Sequence, residues 1–162
     1  VVLDEALRAP DPGIRARALA SRLGRGDPVH PAQLESMAAA PVDRAELWEA
    51  LERIGRLEAF PARQRNRTAL AEADLARWLA SSAGGFAPET IEALGEVVRS
   101  EGVLVVLRFR HPSVREGQWL AGVAGPFRPG VPLGVRGKWT GSLFDLAASA
   151  TIEEHARAHA PR

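Results

Sequence analysis

Apolar residues are most concentrated between positions 103 and 110, where the sequence reads VLVVLRFR. In an extended strand these residues fall on two faces: Val103, Val105, Leu107 and Phe109 on one, Leu104, Val106, Arg108 and Arg110 on the other. The first half of the segment is apolar on both faces, which is typical of a strand that is covered on both sides. The pattern predicts a central strand with two arginines at its carboxyl end.

The segments on either side of this strand have the features of partner strands. Residues 91–99 fit a helix or a strand, because their apolar residues recur at both spacings, and the hairpin-like Glu101-Gly102 favours the strand. Residues 118–124 are predicted to form a third strand, and residues 135–140 a short fourth one. The intervening GPFRPGVPLG contains three prolines, which cannot donate to a β-ladder, so we expect a surface loop there.

The N-terminal part of the chain shows helical periodicity instead. Asp11-Pro12 has the form of a helix start, because aspartate is a good N-cap and proline suits the first turn. Two more helices are predicted over residues 31–39 and from Asp43, which has Glu46 three residues later as in a capping box. The predicted buried face of the first helix consists of Ile14, Ala18, Leu19 and Leu23.

Two later helices complete the predicted fold. One has Thr68 as its predicted N-cap and runs to about Ala80, with Asp74 expected to pair with Arg77 or with an arginine of the preceding link. The other follows the capping-box sequence TIEE at Thr151. The apolar face of the first consists of Ala71, Leu75, Trp78 and Leu79. The predicted fold class is α+β: N-terminal helices, a three- or four-stranded antiparallel sheet and a C-terminal helix. We predict two parts, a helical segment over residues 1–57 and an α+β domain over residues 58–162.

Composition narrows the classes of function. Lys and Arg number 21 and Asp and Glu 20 in 162 residues, and a net charge of +1 argues against a dedicated nucleic-acid binder. The absence of cysteine excludes disulfides, thiolate zinc sites and cysteine nucleophiles. No stretch approaches the roughly 20 apolar residues of a membrane span, and no secretory signal is present, so we expect a cytoplasmic protein. The first residue is Val1, so we expect a processed chain or a piece of a longer one.

Familiar catalytic motifs are missing. The sequence has no G-x-S-x-G elbow, no phosphate-binding G-x-x-x-x-G-K-[ST] loop and no G-x-G-x-x-G that opens a helix after a strand. His155 and His159 would share a helix face, but the pattern HARAH has no glutamate between them, so a solvated face is favoured over zinc binding. We therefore predict no metal, no cofactor and no catalytic residue.

Two groups of residues are candidates for binding. Phe127, Arg128, Arg136 and Trp139 surround the proline-rich segment, and tryptophan and arginine are enriched at binding hot spots. Arg108, Arg110 and His111 lie where the central strand ends, and together they could hold an anion. The alternative for His111 is an ordinary loop residue.

One resemblance bears on the N-terminal part. The sequence DPGIRARALASRLG resembles the second half of a HEAT-type repeat, in which a D-P-x-[VI]-R pattern begins a helix, and residues 28–57 would hold the next helical pair. RNRTALAEADLARWL and QWLAGVAGPF are similar to C-terminal regions of uncharacterised bacterial HEAT-repeat proteins. The resemblance implies a protein-binding helical repeat followed by an α+β module, and it implies no catalytic residues. An ordinary helical subdomain fits the N-terminal residues equally well.

The leading hypothesis is a non-catalytic adaptor or regulatory module that binds another protein, with neither membrane nor nucleic acid expected as partner. An immunity-type protein that neutralises a bacterial toxin is the first alternative. The second is an enzyme that uses His111 and the neighbouring arginines on an anionic substrate. That enzyme would lose activity, and keep its fold, on the change His111→Ala. The sequence leaves the partner and the oligomeric state open.

Overall fold

The computed structural model describes residues 2–81, 88, 90–110, 119–128, 144–145 and 151–158. Helices come first along the chain and a sheet follows, so the predicted α+β class is confirmed. The helices are α1 (Val2–Ala6), α2 (Pro12–Gly24), α3 (Pro31–Ala39), α4 (Pro41–Arg53), α5 (Arg67–Ser81) and α6 (Ile152–Ala158). The strands are β1 (Ile91–Arg99), β2 (Gly102–Phe109), β3 (Leu120–Phe127) and β4 (Phe144–Asp145). Two short 3₁₀ turns, Leu57–Ala59 and Ala62–Gln64, lie between α4 and α5.

Local sequence signals set two of the helix starts. The N–H of Ile14 donates to Asp11 Oδ1 at 2.9 Å, directly ahead of α2, as predicted. At the start of α6, the N–H of Thr151 donates to Glu154 Oε2 at 2.7 Å and the N–H of Glu154 donates to Thr151 Oγ1 at 3.2 Å. This reciprocal pair is a complete capping box, and it confirms the predicted start.

Two other predicted helix caps are wrong. Helix α4 begins at Pro41 without a side-chain cap, and Asp43 instead forms an ion pair with an arginine of α2. At the start of α5 the cap is Asn66 and not Thr68, because the N–H of Ala69 donates to Asn66 Oδ1 at 3.0 Å. At α5 a polar residue two positions earlier is the cap, whereas at α4 the predicted cap is used in a contact with α2 and no side chain replaces it.

Helices α2 and α4 lie side by side and run in the same direction. Near their starts, Arg15 Nη2 forms an ion pair with Asp43. Beyond the end of α4, Arg56 Nη1 donates at 3.1 Å to the carbonyl of Leu23, near the end of α2. The shorter α3 carries the chain back between them and packs on α4.

The same arrangement recurs between α4 and α5. Arg44 contacts Ala69 and Glu72 near the starts of the two helices, and Glu49 pairs with Arg77 farther along both. In several ion pairs of this region the partners are 28 residues apart in sequence: Arg15–Asp43, Glu35–Arg63, Arg44–Glu72 and Glu49–Arg77. The successive parallel helices α2, α4 and α5 thus meet through charged residues that are 28 positions apart in sequence.

Helix α5 takes part in two hydrophobic cores. Its Leu70 and Ala73 belong to the core of the helices, together with Leu47, Trp48 and Leu51. Its other face packs on the sheet, with Ala71, Leu75 and Leu79 against Val105, Leu107 and Phe109. One helix therefore links the helical layer to the sheet. The predicted boundary between residues 57 and 58 lies ahead of this shared helix.

Ala18 and Leu19 of α2 and Ala71, Leu75 and Leu79 of α5 are buried as predicted, whereas two other residues of the predicted faces are exposed. Ile14 is 39% exposed and Trp78 is 41% exposed. Small residues share the contacts between helices with the larger apolar ones, among them Ala16 and Ala20 in α2 and Ala73 in α5. Alanines allow helices to approach closely, so the true contact face carries a weaker hydrophobic signal than a neighbouring Ile or Trp.

The sheet is antiparallel in the order β1-β2-β3-β4. The ambiguous residues 91–99 form a strand, as favoured. In the first half of the predicted central strand, Leu104, Val105 and Val106 are buried as predicted and Val103 is half-buried. Strand β3 continues to Phe127, three residues beyond its predicted end, because a shift of register opposite β2 accommodates Gly125 and Pro126. Gly125 has φ +118°, and a Cβ there would lie 2.7 Å from the carbonyl oxygen of Val103. The fourth strand predicted over residues 135–140 lies outside the described residues.

Helix α6 covers the face of the sheet opposite α5. Ile152 packs against a small core of Val97, Leu104, Val106 and Val123. The approach is close at Gly95, where an added Cβ would lie 2.8 Å from Ile152 Cδ1. The C-terminal helix is therefore part of the fold and completes a three-layer arrangement of helices, sheet and helix. None of the helices within the described residues is long and apolar enough to cross a membrane.

Candidate functional site

The structure places the predicted binding residues at two separate ends of the sheet. Arg108 and Arg110 lie at the end of β2, whereas Phe127 pairs with Val103 at its beginning, next to Arg128. At about 3.3 Å per residue, the two ends are about 23 Å apart, so the two groups do not form one surface. Phe127 is half-buried and packs on the core between α5 and the sheet, and Arg128 is exposed. The remaining candidates, His111, Arg136 and Trp139, lie outside the described residues.

At the end of β2, two arginines stack on one tryptophan. The Cζ atom of Arg108 lies 4.4 Å from the centroid of the Trp119 ring, and the Cζ atom of Arg110 lies 4.7 Å from it. Both distances are within the range of about 6 Å for an attraction between a cation and the face of an aromatic ring. We call these three residues together with Glu92 the Arg–Trp site.

Strand register brings the members of this site together. Arg108 and Arg110 are two residues apart, so their side chains leave the same face of β2. Phe109 pairs with Leu120 of β3, which places the preceding Trp119 opposite Arg110. On the other side, Glu92 of β1 pairs with Arg108. The four side chains therefore form a short row across three adjacent strands.

The two arginines differ in their charge partners. Arg108 Nε and Nη2 both donate to Glu92 Oε2, at 2.8 and 2.6 Å, so this carboxylate neutralises the first guanidinium. Arg110 is exposed, and among the described residues its guanidinium has the Trp119 ring as its contact and no carboxylate. The site therefore presents one uncompensated positive charge, held in place by an aromatic ring.

Two members of this site are not among the residues predicted to bind. Trp119 lies near the start of the predicted third strand; it is half-buried, and the two guanidinium groups lie over its ring. Glu92 lay in the segment whose secondary structure was ambiguous, so its position opposite Arg108 depended on the strand assignment. The available signal was the alternation of Arg108 and Arg110 on one strand, with a tryptophan at the start of the next.

A second group of charged residues lies where α4 and α5 meet. Only 10% of the Asp74 side chain is exposed, its Oδ1 lies 3.4 Å from Arg77 Nη2, and its Oδ2 has no hydrogen-bond partner within the described part of the chain. Burial raises the pKa of Asp74 from 3.8 to about 7, and Arg77 offsets only part of this effect. Burial, followed by the nearby Glu49 carboxylate, also raises the pKa of Glu46. The predicted pairing of Asp74 with Arg77 is thus present, at a long distance.

Next to this group is a cavity of about 320 Å³ at the start of α2. Asp11, Arg17, Glu46 and Arg77 line it. A Cβ added at Gly13 would meet Glu46 Oε2, Asp11 Oδ1 and Arg17 Nη1 at 3.0–3.3 Å, so these groups crowd over one glycine. Because carboxylates and guanidinium groups are mixed here, they largely neutralise one another, and the cavity favours neither an anion nor a cation.

A further cavity of about 370 Å³ lies between the first helices. Leu7, Leu19 and Met37 form its apolar wall, and the ion pair between Arg15 and Asp43 lies at its polar side. Arg15 also donates to the carbonyls of residues 9 and 10, so its hydrogen-bonding groups are already used. This cavity therefore has an apolar wall, but the charged groups that line it are already paired with each other.

The predicted histidine pair is only partly described. His155 is buried on α6, and its Nε2 has no hydrogen-bond partner among the residues that the structure describes. His159 lies outside them. Across the described part of the chain, no group of three or more His, Asp or Glu side chains is placed to hold a metal ion.

The chain was also compared with known proteins. No protein-family model, no curated protein and no solved structure matches it.

Proposed function

We propose that this protein is a non-catalytic recognition module that binds another protein through the Arg–Trp site. The observation that carries this proposal is the exposed Arg110, whose guanidinium lies 4.7 Å from the Trp119 ring centroid and has no carboxylate partner among the described residues. Arginine and tryptophan are among the residues most enriched at binding hot spots. A stacked guanidinium also loses less conformational freedom on binding than a free side chain.

We propose further that the helical part is a short HEAT-like repeat that serves as the scaffold of this module. The parallel course of α2, α4 and α5 and the recurring 28-residue spacing of their ion pairs support this proposal. A spacing of 28 is shorter than the roughly 40 residues usual for HEAT units, so the units would be shortened ones. In a repeat protein each unit contacts mainly the units next to it. A HEAT-like scaffold should therefore still fold when one more unit is inserted.

The repeat proposal is tested by duplication of residues 41–68 directly after residue 68. The longer chain is expected to keep a cooperative unfolding transition and to gain helical content in circular dichroism. A control chain duplicates residues 41–54, which is half of the spacing and places the added helix out of phase. Loss of cooperative unfolding in both chains would contradict the repeat proposal.

The recognition proposal is tested by crosslinking of a photoreactive residue introduced into the full chain. Thr90 lies just before β1, at the same end of the sheet as the Arg–Trp site, and Ser100 lies in the turn at the opposite end. Both are exposed and both lie outside the site, so either position accepts the probe without removal of Arg110. In nuclease-treated lysate of the source cell, one protein is expected to crosslink from position 90 and not from position 100.

The outcomes of this experiment separate the proposals. A crosslinked protein that is lost on Arg110→Gln supports recognition through the Arg–Trp site. Its identity then distinguishes a cytoplasmic adaptor from an immunity-type protein, which would capture one toxin. If positions 90 and 100 give the same crosslinked products, recognition at this end of the sheet is refuted.

A further inference from the structure

We propose that the Arg–Trp site takes a carboxylate from an acidic peptide segment of the partner. An Asp or Glu side chain pairs with Arg110, and the residue next to it in the segment packs on the Trp119 ring. This proposal rests on the proposed function and names the partner chemistry of the same site.

The charges of the site determine whether it attracts an anion or a cation. Two guanidinium groups lie within 4.7 Å of one ring centroid, and one carboxylate, Glu92, is bound to the first of them. The second guanidinium, on Arg110, has no carboxylate partner among the described residues. A negative group from outside is therefore attracted to the site, whereas a cation is repelled.

The stacking of Arg110 on Trp119 favours a carboxylate as the anion. A guanidinium that lies over an aromatic ring uses its flat face for the ring, so its N–H groups remain available at the edge. Two parallel N–H donors at that edge match the two oxygens of a carboxylate. Trp119 is half-buried, so part of its side chain is exposed and can contact a neighbouring apolar side chain.

The number of free charges favours a peptide over a nucleic acid. Binding to a phosphate backbone generally requires several unpaired cations along one surface. Of the arginines at or beside the sheet, Arg108 is paired with Glu92 and Arg67 with Glu96 at 2.7 Å, and Arg99 and Arg128 lie at the far end, away from the site. With a net charge of +1 for the chain and one uncompensated guanidinium at the site, the surface suits one carboxylate group rather than a polyanion.

The test uses two pools of pentapeptides and the ¹⁵N-labelled full chain. One pool has Asp or Glu at the central position, and the matched pool has Asn or Gln there, so the pools differ only in charge. Binding is followed by NMR at the Nε–H of Arg110 and the indole N–H of Trp119. The acidic pool is expected to shift both signals and the amide pool neither. Raising NaCl from about 50 to about 200 mM is expected to weaken binding about two- to threefold.

Two variants identify the residue that binds. Arg110→Gln is expected to weaken binding of the acidic pool by at least about tenfold, because a charged hydrogen bond is lost. Arg65→Gln changes another exposed arginine, which follows the turn Ala62–Gln64 ahead of α5, and is expected to leave binding unchanged. Unaltered amide signals elsewhere in the spectrum of each variant confirm that it folds.

Three results would overturn the proposal: equal shifts with the two pools, shifts that persist in the Arg110→Gln chain, or tighter binding of a ten-nucleotide oligothymidine than of the acidic pool. The failure of this proposal is distinguishable from that of the proposed function. A protein crosslinked from position 90 together with an inactive acidic pool leaves recognition standing and removes the acidic partner. If acidic peptides bind but no protein crosslinks specifically from position 90, binding of a carboxylate stands and recognition of a partner protein is removed.

Discussion

The guanidinium of Arg44 lies 3.0 Å from the carboxylate of Glu72, at the contact between α4 and α5. Only 6% of the Arg44 side chain is exposed. Its remaining N–H groups donate to the carbonyls of Ala38 and Ala39 at the end of α3 and of Ala69 in α5. One buried side chain therefore joins three helices of the N-terminal layer.

Replacement of Arg44 should destabilise the protein strongly. The change Arg44→Met leaves three carbonyl contacts and a half-buried carboxylate without their donor, and we expect a loss of about 3 kcal/mol in the free energy of unfolding. Arg53→Met is the control, because Arg53 pairs with Glu49 on an exposed helix face and is expected to cost less than about 0.5 kcal/mol. Urea denaturation of both variants measures the difference. Similar losses in the two variants would show that Arg44 is not a special contact.

Buried Asp74 makes stability depend on pH. Its pKa is about 7 in the folded protein against an ordinary 3.8, so the folded state holds this proton more tightly than the unfolded chain does. The stability that Asp74 contributes is therefore present below about pH 4, falls as the pH rises to about 7, and then levels off. At pH 8, Asp74→Asn is expected to raise the free energy of unfolding by about 2–4 kcal/mol.

Urea denaturation at pH 5 and pH 8 checks the Asp74 prediction. The Asn variant should show a smaller loss between the two pH values, although part of the slope remains because the pKa of Glu46 is raised in the same direction. Asp27→Asn is the control, since Asp27 is in a partly exposed pair with Arg25. An unchanged pH slope in the Asp74 variant would mean that its carboxyl is ionised in the folded protein at neutral pH.

Removal of the Glu92 carboxylate should strengthen binding of acidic peptides. Glu92→Gln releases the guanidinium of Arg108 from its ion pair, so the Arg–Trp site gains a second uncompensated charge. We expect binding of the acidic pentapeptide pool to become about two- to fivefold tighter. Glu96→Gln, which breaks the pair with Arg67 elsewhere on β1, is expected to have no effect. Titration by NMR measures both variants and the unaltered chain, and weaker binding by the Glu92→Gln variant would argue against Arg108 as an available cation.

Gly125 should tolerate no side chain. A Cβ at this position would lie 2.7 Å from the carbonyl oxygen of Val103 and adds strain at φ +118°. We expect Gly125→Ala to cost about 2–4 kcal/mol in stability. Gly26→Ala is the control, because Gly26 has φ +77° with nothing within 4 Å of the added Cβ, and should cost only about 1 kcal/mol. Guanidinium chloride midpoints of the two variants separate the steric contact from the backbone strain.

The buried faces of the helices could be predicted only in part from the pattern of apolar residues. The large apolar residues Ile14 and Trp78 suggested which faces were buried, yet both are exposed and alanines form much of the contact. A helix face made of small residues is buried only because another helix lies close to it, and that neighbour comes from a distant part of the sequence. Asp43 behaves similarly, since a contact with Arg15, 28 residues away, replaces its predicted capping role.

Local chemistry alone determined the start of α2 at Asp11, the capping box at Thr151 and the central strand, because each depends on residues within a few positions of one another. Tertiary structure decided the candidate site. Arg110 meets Trp119 because β2 and β3 pair in one register, and Arg108 is neutralised because β1 brings Glu92 opposite it. A change of register by one residue would turn the side chains of one strand to the other face of the sheet. The contacts of Arg110 with Trp119 and of Arg108 with Glu92 therefore depend on how the strands pair in the folded sheet.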